Sequence, residues 1–195
     1  MPDRIRTAIF GGTFNPIHNG HLAVARSVLD AGLADGLWLM VTPMNPWKRD
    51  QKLTDDDYRL NLARLATHDM DGITASDFEF NLPKPSYTAN TLRALSEAFP
   101  DRDFILVIGA DNWEKFANWY DSRFILDNYS IIVYPRSGYS IENSTGADVH
   151  ILDCPLWDVS STQIRERLSQ GKPVEGMVPD CILSSLGLYQ TDGIR

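Results

Sequence analysis

Short runs of apolar and β-branched residues alternate along the chain with stretches of helical periodicity. The runs predict buried strands, because a strand that is covered on both faces reads as a nearly continuous apolar segment. The clearest runs lie at residues 7–10, 37–41, 104–108 and 130–134. Weaker runs predict two further strands at residues 73–76 and 149–152.

The stretches between these runs predict helices. Leu22, Ala25 and Leu29 fall on one helical face, and Gly32 suits the turn that ends such a helix. Thr54 and the three aspartates that follow it predict a helix start, because acidic side chains favour the positive end of a helix. Two more helices are predicted at residues 88–99 and 161–170. This alternation predicts one α/β domain over residues 1–195, with a parallel sheet and helices on both of its faces.

The charge balance and the cysteines limit the function classes. The chain has 18 basic and 26 acidic residues, a net charge of −8, whereas a non-specific nucleic-acid binder carries an excess of basic groups. We therefore expect no nucleic-acid partner, and any phosphate ligand must be held by local groups or a metal ion. Cys154 and Cys181 are too few for a disulfide scaffold or a thiolate zinc site and suit a reducing compartment, so we expect a cytoplasmic protein. The sequence shows neither an apolar leader region nor an 18-residue apolar stretch, so no membrane association is expected.

The first strand runs into the string GGTFNPIHNGH, residues 11–21. Its glycines allow close approach of the backbone to an anion, and the helix that begins near Gly20 offers free N–H groups to a phosphate. His18 and His21 are three residues apart, which places both imidazoles on one side of the first turn. Taken singly, each histidine would more often be a capping or core residue, and a zinc site would need a third ligand nearby.

This string resembles the GGTFxPxHxGH signature of the nucleotidyltransferases that carry the HxGH motif. The resemblance implies a Rossmann-like α/β fold and transfer of a nucleotidyl group from a nucleoside triphosphate. It also implies that His18 and His21 bind the phosphates at the reacting centre. By the same resemblance, Asn15 belongs to the site of the acceptor nucleotide, and the ATP site includes Gly11, Gly12, Thr13 and Phe14.

A second string, DVSSTQIR at residues 158–165, opens a late helix. Ser160 and Gln163 form a capping-box pattern, which by itself is only structural. Ser161, Thr162 and Arg165 add hydroxyls and a guanidinium to the helix N-terminus, a combination suited to a polyphosphate. The string resembles the I-S-S-T-x-I-R signature of the same family, with valine in place of the first isoleucine.

Two loop segments resemble those of bacterial nicotinate-nucleotide adenylyltransferases. The segment NPWKR, residues 45–49, is similar to their lysine-bearing loop, which implies that Lys48 reaches the triphosphate of ATP; Trp47 stands where many members have histidine. The segment PSYT followed by Thr91 and Leu92 implies that Tyr87 and Thr88 help to recognise the nicotinate carboxylate, partly through backbone N–H groups. Without the resemblance, the first segment is a solvated basic loop and the second a helix start capped by Thr88.

Two strand ends complete the resemblance. The pattern G-x-D-x-x-x-x-F-x-x-W-Y after the strand at residues 104–108 implies that Gly109 and Asp111 border the ribose of ATP, and that Trp119, beside Tyr120, stacks on the pyridine ring of the acceptor. The R-x-G-Y pattern implies that Arg136 borders the ATP site. An isolated tryptophan would more often be a core residue, and the arginine alone would be part of an exposed turn.

The resemblance implies transfer of the AMP moiety of ATP to nicotinate mononucleotide, which gives nicotinate adenine dinucleotide and pyrophosphate in NAD biosynthesis. The attacking phosphate is already an anion, so catalysis rests on positioning and charge neutralisation by His18, His21 and Arg165. Mg²⁺ is expected to arrive with ATP, without a dedicated set of protein ligands. Nicotinamide mononucleotide or phosphopantetheine as the acceptor, a non-catalytic nucleotide sensor, and an RNA-binding module stay open as alternatives, and so does a homo-oligomer.

Overall fold

Six parallel strands form the centre of the protein, whose computed structural model describes residues 4–43, 53–141 and 147–191. The strands are β1 (Ile5–Gly12), β2 (Gly36–Val41), β3 (Ile73–Ser76), β4 (Arg102–Gly109), β5 (Ser130–Tyr134) and β6 (Val149–Ile151). Their order across the sheet is β3-β2-β1-β4-β5-β6. This order is that of doubly wound dinucleotide-binding folds, in which the ligand lies at the carboxyl ends of the strands where the order reverses. Here the reversal lies between β1 and β4.

Helices cover both faces of the sheet. They are α1 (Asn19–Asp30), α2 (Asp56–Thr67), α3 (Thr88–Ala98), α4 (Ala110–Trp113), α5 (Ser122–Asn128), α6 (Ser161–Ser169) and α7 (Gly187–Thr191), with 3₁₀ turns at Phe78–Asn81, Phe116–Asn118 and Asp180–Ser185. One core cluster joins α1, α2 and α6 to one set of strand side chains, and a second cluster joins α3, α4 and α5 to the alternate set. The predicted parallel α/β sheet with helices on both faces is therefore confirmed. The span of the domain, residues 1–195, stays a prediction.

The elements differ from their predicted bounds mainly at the ends. β1 and β4 extend beyond the predicted apolar runs, because their ladder continues from the Ile5–Arg102 pair and backbone hydrogen bonds need no apolar side chain. The predicted apolar face of α1 packs on the core: Ala25 is fully buried, and Leu22 and Leu29 are partly buried against the same cluster. Val24 and Val28 add to its buried stripe.

The helix ends follow the sequence signals closely. Asp55 caps α2 by accepting a hydrogen bond from the Tyr58 backbone N–H at 3.0 Å. Ala31 is the C-cap residue of α1. Gly32 follows it with φ of 64°, a left-handed conformation that favours glycine. Within the described ranges, no helix is both long enough and apolar enough to cross a membrane.

Candidate active site

A cavity of about 430 Å³ opens at the carboxyl ends of β1 and β4, where the strand order reverses. We call it the large cavity. Six residues that the sequence places in a binding site line it: Gly11, Tyr87, Thr88, Gly109, Trp119 and Tyr120. All four aromatic and hydroxyl residues predicted for the acceptor side are thus brought together, although they come from two separate segments of the chain. Asn15, predicted for the same side, is not among the lining residues.

Aromatic rings form one wall of the large cavity. The rings of Tyr87 and Tyr120 lie 4.8 Å apart at 37°, and Trp119 lies 5.2 Å from Phe116 behind it. Trp119 therefore presents one part of its indole to the core and another to the cavity. A wall of this kind can accept a flat, electron-poor ring.

The N-terminus of α3 opens on the same cavity. Tyr87 occupies the cap position without a side-chain cap, and its carbonyl oxygen accepts from the N–H groups of Asn90 at 2.9 Å and Thr91 at 3.1 Å. The earlier N–H groups of a helix have no carbonyl partner within the helix and carry the positive end of its dipole. Thr88 lies in this first turn and lines the cavity, so the α3 N-terminus can bind an anionic group there.

A second, narrow recess lies on the other side of Phe10 and Tyr134, which line both spaces. We call it the histidine recess. His18, His21 and Arg136 line it, together with Trp157 of the segment before α6. The recess encloses only about 20 Å³, room for about one water molecule, and it shares Phe10 and Tyr134 with the large cavity.

The two histidines stack in the first turn of α1. Their ring centroids are 3.6 Å apart at 21°, and the backbone N–H of His18 donates to Nδ1 of His21 at 3.3 Å. With Nδ1 as the acceptor in this contact, Nε2 is the nitrogen of His21 that can donate to a ligand. Burial and the nearby Arg136 guanidinium lower the pKa of His18 to about 3, partly opposed by a backbone hydrogen bond. His18 is therefore neutral at pH 7, and its ring is suited to hydrogen bonding rather than to carrying positive charge.

The glycine between the histidines permits a close approach of α6. A Cβ on Gly20 would lie 2.9 Å from Cγ1 of Val159 and 3.2 Å from the His18 ring. Real Cβ atoms do not come so close, so only glycine lets the segment before α6 pack over the start of α1. This contact joins the two sequence motifs in space.

Polar contacts fix α6 against the loop after β1. Ser160 and Gln163 form the predicted capping box, at 3.2 Å and 3.1 Å. The Ser161 hydroxyl donates to the Pro16 carbonyl oxygen at 2.9 Å.

The guanidinium of Arg165 is held in the same place. It donates to the Asn15 carbonyl oxygen at 2.7 Å and to the Thr162 hydroxyl oxygen at 3.2 Å. An arginine fork has five N–H donors, so Arg165 retains donors for an anionic ligand. Ser161, Thr162 and Arg165 are thus assembled next to the loop that leads into the histidines.

Asp111 and Arg136 lie at the ends of β4 and β5. Arg136 Nε is 3.6 Å from Asp111 Oδ1, and Arg136 also donates to the Tyr134 hydroxyl at 3.4 Å. A Cβ on Gly109 would lie 2.4 Å from that same Asp111 oxygen, so glycine makes the room for the carboxylate. Burial raises the pKa of Tyr134, which keeps the shared wall uncharged.

The remaining sequence-predicted residues lie apart from these surfaces or outside the described ranges. Phe14 is 2 % exposed and packs edge-on against His21 at 4.9 Å, which leaves only its backbone for a nucleotide. Gly12 ends β1 and Thr13 is buried in the following loop. Lys48 lies outside the described residues.

Sequence reasoning missed Arg59, which orders the loops around the site. Its side chain is fully buried and donates to the carbonyl oxygens of Thr13, Thr42 at 3.1 Å and Thr54 at 3.0 Å, and to Asp56 at 2.5 Å. Arg59 therefore ties together the chain after β1, the chain after β2 and the start of α2. An arginine on an amphipathic helix normally faces water, so the sequence carries no signal for this role.

Sequence reasoning also missed Glu79, which lines the large cavity and is 5 % exposed. The Thr91 hydroxyl donates to its Oε1 at 2.7 Å. A lone glutamate in a short 3₁₀ turn ordinarily faces water, so the sequence carries no signal for its burial.

Comparison with known proteins shows the family to which the chain belongs. Residues 9–167 match the family described as cytidylyltransferase-like. A probable nicotinate-nucleotide adenylyltransferase of Bacteroides fragilis is 43% identical, over 98% of this chain and 95% of the relative. A protein of the same name from Bacteroides thetaiotaomicron is 44% identical over 88% and 86% of the two chains.

A solved structure shows the same fold. The nicotinic acid mononucleotide adenylyltransferase of Plasmodium falciparum, complexed with NaAD, superposes with a TM-score of 0.82 at 17% identity. The match covers 96% of this chain and 97% of that one. At this identity the likeness concerns the fold alone.

Proposed function

Because the chain belongs to the nicotinate-nucleotide adenylyltransferases within the cytidylyltransferase-like family, we propose that its two adjoining recesses bind the two substrates of that reaction. The enzyme transfers the AMP moiety of ATP to nicotinate mononucleotide and releases pyrophosphate, a step of NAD biosynthesis. One observation carries the proposal: the large cavity and the histidine recess share the wall formed by Phe10 and Tyr134. The reacting phosphates meet at the open edge of this wall, beside the carboxyl ends of β1 and β4, rather than across it.

The large cavity takes the acceptor. Trp119 stacks on the pyridine ring, and the uncapped N-terminus of α3 at Tyr87 and Thr88 binds the nicotinate carboxylate. Tyr120 closes the aromatic wall. Asn15, whose Oδ1 is buried without a hydrogen-bond partner among the described residues, is assigned to the acceptor phosphate, since it does not line the part of the cavity that takes the pyridine ring.

ATP binds along α6 and the histidine recess. Ser161, Thr162 and Arg165 hold the β- and γ-phosphates, since hydroxyls, a guanidinium and a helix N-terminus are the groups that suit them. Arg136 and Asp111 border the nucleoside. Lys48 and the backbone at Gly11, Gly12 and Gly109 complete this side.

The reaction is an in-line displacement at the α-phosphorus of ATP. An oxygen of the nicotinate mononucleotide phosphate forms the new P–O bond, and the bond from the α-phosphorus to the bridging oxygen breaks, so that pyrophosphate leaves with that electron pair. The attacking oxygen is an anion near pH 7, so no general base is required. His21 donates through Nε2–H, and its hydrogen bond strengthens as negative charge grows in the transition state. His18, neutral and stacked on it, fixes the orientation of that ring and donates from its own free nitrogen.

The residues present fit Mg²⁺ that is carried by the nucleotide. No group of three or more histidine, cysteine, aspartate or glutamate side chains is placed to hold a metal ion in the described part of the chain. Mg²⁺ keeps most of its waters and binds phosphate oxygens readily. When bound, it neutralises charge on the triphosphate.

We also assign the enzyme to the cytoplasm, in keeping with two free cysteines, one of which, Cys181, is exposed.

The direct test is pyrophosphate release from Mg-ATP with three acceptors in parallel: nicotinate mononucleotide, nicotinamide mononucleotide and phosphopantetheine. Rapid release with the acid, and slow release with the other two, is expected. Rapid release with another acceptor would retain the phosphate chemistry but refute the assignment of the large cavity. No release with any of them would favour a nucleotide sensor.

A further inference from the structure

Glu79 places a carboxyl group inside the large cavity, and the function described above gives it no role. The side chain is 5 % exposed, and its Oε1 accepts from Thr91 in the first turn of α3. Its Oε2 is buried and has no hydrogen-bond partner within the described ranges. The hydroxyl of Ser86, one residue before the α3 cap, lines the same cavity. It is also buried without a hydrogen-bond partner within the described ranges. Two unsatisfied polar groups therefore lie beside the N-terminus of α3.

The large cavity contains no cationic side chain to balance a charge on Glu79. Its polar lining consists of hydroxyls, amides and one carboxyl, and among the described residues no lysine, arginine or histidine lines it. Charged groups near Glu79 in the chain and the fold pair elsewhere: Asp77 with Arg64 at 3.0 Å, Asp56 with Lys84 at 3.6 Å and with Arg59, and Asp111 with Arg136 at 3.6 Å. The titratable groups that share the cavity are Tyr87, Tyr120 and Tyr134. An acceptor carboxylate would thus meet only dipoles and Glu79.

We propose that Glu79 is a specificity-determining residue of the large cavity: as a neutral carboxyl behind the α3 N-terminus, it lets the cavity take an acceptor with a carboxylate in preference to the same acceptor with a carboxamide. The inference rests on the function proposed above. A neutral carboxyl can donate a hydrogen bond to a carboxylate, whereas an ionised one repels it and accepts from a carboxamide N–H instead. Burial raises the pKa of Glu79, and the hydroxyls of Thr91, Thr42 and Ser86 oppose the shift.

The proposal predicts a pH-dependent choice of acceptor. The ratio of kcat/KM for nicotinate mononucleotide to that for nicotinamide mononucleotide falls by about tenfold or more as pH rises through the pKa of Glu79. The two acceptors carry the same phosphate, so its ionisation cancels in the ratio, and so does that of ATP. The measurement covers about pH 5 to about pH 9, and the KM for ATP, which is given no contact with the Glu79 side chain, is expected to show no such transition.

Two variants and one control separate this role from a purely structural one. Glu79→Gln cannot ionise, so its ratio is expected to be flat with pH and to favour the acid. Thr91→Val removes a hydrogen bond that favours the ionised form of Glu79, so its pKa rises further. The fall in the ratio of kcat/KM values is therefore expected at a higher pH than in the wild type. Glu97→Gln removes an exposed carboxyl from the same helix α3, and its profile should match that of the wild type.

A second measurement does not depend on turnover. Because the folded-state pKa of Glu79 is raised, its protonation stabilises the folded protein below the ordinary glutamate pKa of about 4.3, and this contribution is lost as pH rises through the folded-state pKa. The free energy of unfolding of the wild type minus that of Glu79→Gln should fall over that range. If Glu79→Gln does not fold, the wild-type and Thr91→Val profiles carry the test.

The outcomes separate this inference from the proposed function. A wild-type ratio that is flat with pH, or one that falls equally in Glu79→Gln, overturns the inference while turnover of the acid continues. No turnover of the acid at any pH overturns the proposed function instead.

Discussion

Replacing Arg59 by methionine removes a buried guanidinium while keeping most of its hydrocarbon volume. Arg59 donates to the carbonyl oxygens of Thr13, Thr42 and Thr54 and pairs with Asp56. The methionine thioether has no hydrogen to donate, so it cannot replace any of these hydrogen bonds. The substitution therefore leaves carbonyl groups near the site without hydrogen bonds.

The size of the effect follows from the two most buried acceptors. Thr13 and Thr42 are 8 % and 7 % exposed, so water cannot readily replace Arg59 there. Hydrogen bonds to a charged group contribute about 1.5–3 kcal/mol each. Counting these two, and discounting Thr54 and the partly exposed Asp56, the expected loss is roughly 3–6 kcal/mol. For a domain of this size that corresponds to a fall in Tm of roughly 10 °C.

The assay is urea and thermal unfolding, with Arg64→Met as the matched control on the same helix. The Arg64 side chain is 52% exposed and pairs with Asp77 at 3.0 Å, so its loss should cost about 0–1 kcal/mol. Arg59→Lys retains the charge but not the planar fork, and an intermediate loss is expected. A loss below about 1 kcal/mol for Arg59→Met, or one equal to that of the control, would refute the reasoning.

Further predictions concern the histidines and the acceptor wall. His18 should stay neutral down to about pH 4, as followed by ¹⁵N NMR of its ring, because burial and Arg136 hold its pKa at about 3; protonation near pH 6 would contradict this. His21→Ala should lower kcat by roughly 10²–10³ through loss of a donor to the transition state, and an unchanged kcat would remove that role. Gly20→Ala should push the segment before α6 away from α1 and lower kcat/KM by roughly tenfold, as a clash costing about 1–3 kcal/mol would do; Gly187→Ala, which meets nothing within 4 Å, is its control. Trp119→Ala should raise the Kd of nicotinate mononucleotide far more than that of ATP, and equal changes in both would assign the ring to the core.

The strands and the two motifs could be predicted because their signals are local. The apolar run at residues 130–134 coincides with β5, since buried parallel strands need continuous apolar residues. The weaker run at residues 73–76 coincides with β3, an edge strand in which only Ile73 and Ala75 are buried. The capping box of Ser160 and Gln163 likewise involves only neighbours in the chain. The strand order was accessible only through the resemblance, because alternation of strands and helices does not by itself give the position of the crossover.

The buried charged groups could not be predicted, because their partners lie far away in the sequence. Arg59 bonds Thr13, 46 residues earlier, and no periodicity marks such a pair. Glu79 is a single acid in a short turn, and its burial depends on the contact of that turn with β2 and on Thr91, 12 residues later in α3. Tyr134 is the last residue of a predicted strand, whereas the structure makes it a wall of two recesses.

In the proposed arrangement, the wall formed by Phe10 and Tyr134 would make the binding of the two substrates thermodynamically interdependent. A ligand that shifted the Tyr134 ring on one side would change the shape available on the other. Such coupling is reciprocal: if the acceptor alters the affinity for ATP by some factor, ATP alters the affinity for the acceptor by the same factor. Dissociation constants measured with a single substrate therefore describe a different site from the one that operates during turnover. Tyr87 and Trp119 line the large cavity but not the histidine recess. Substitutions at these two residues are therefore the best route to a changed acceptor without a change in the recess.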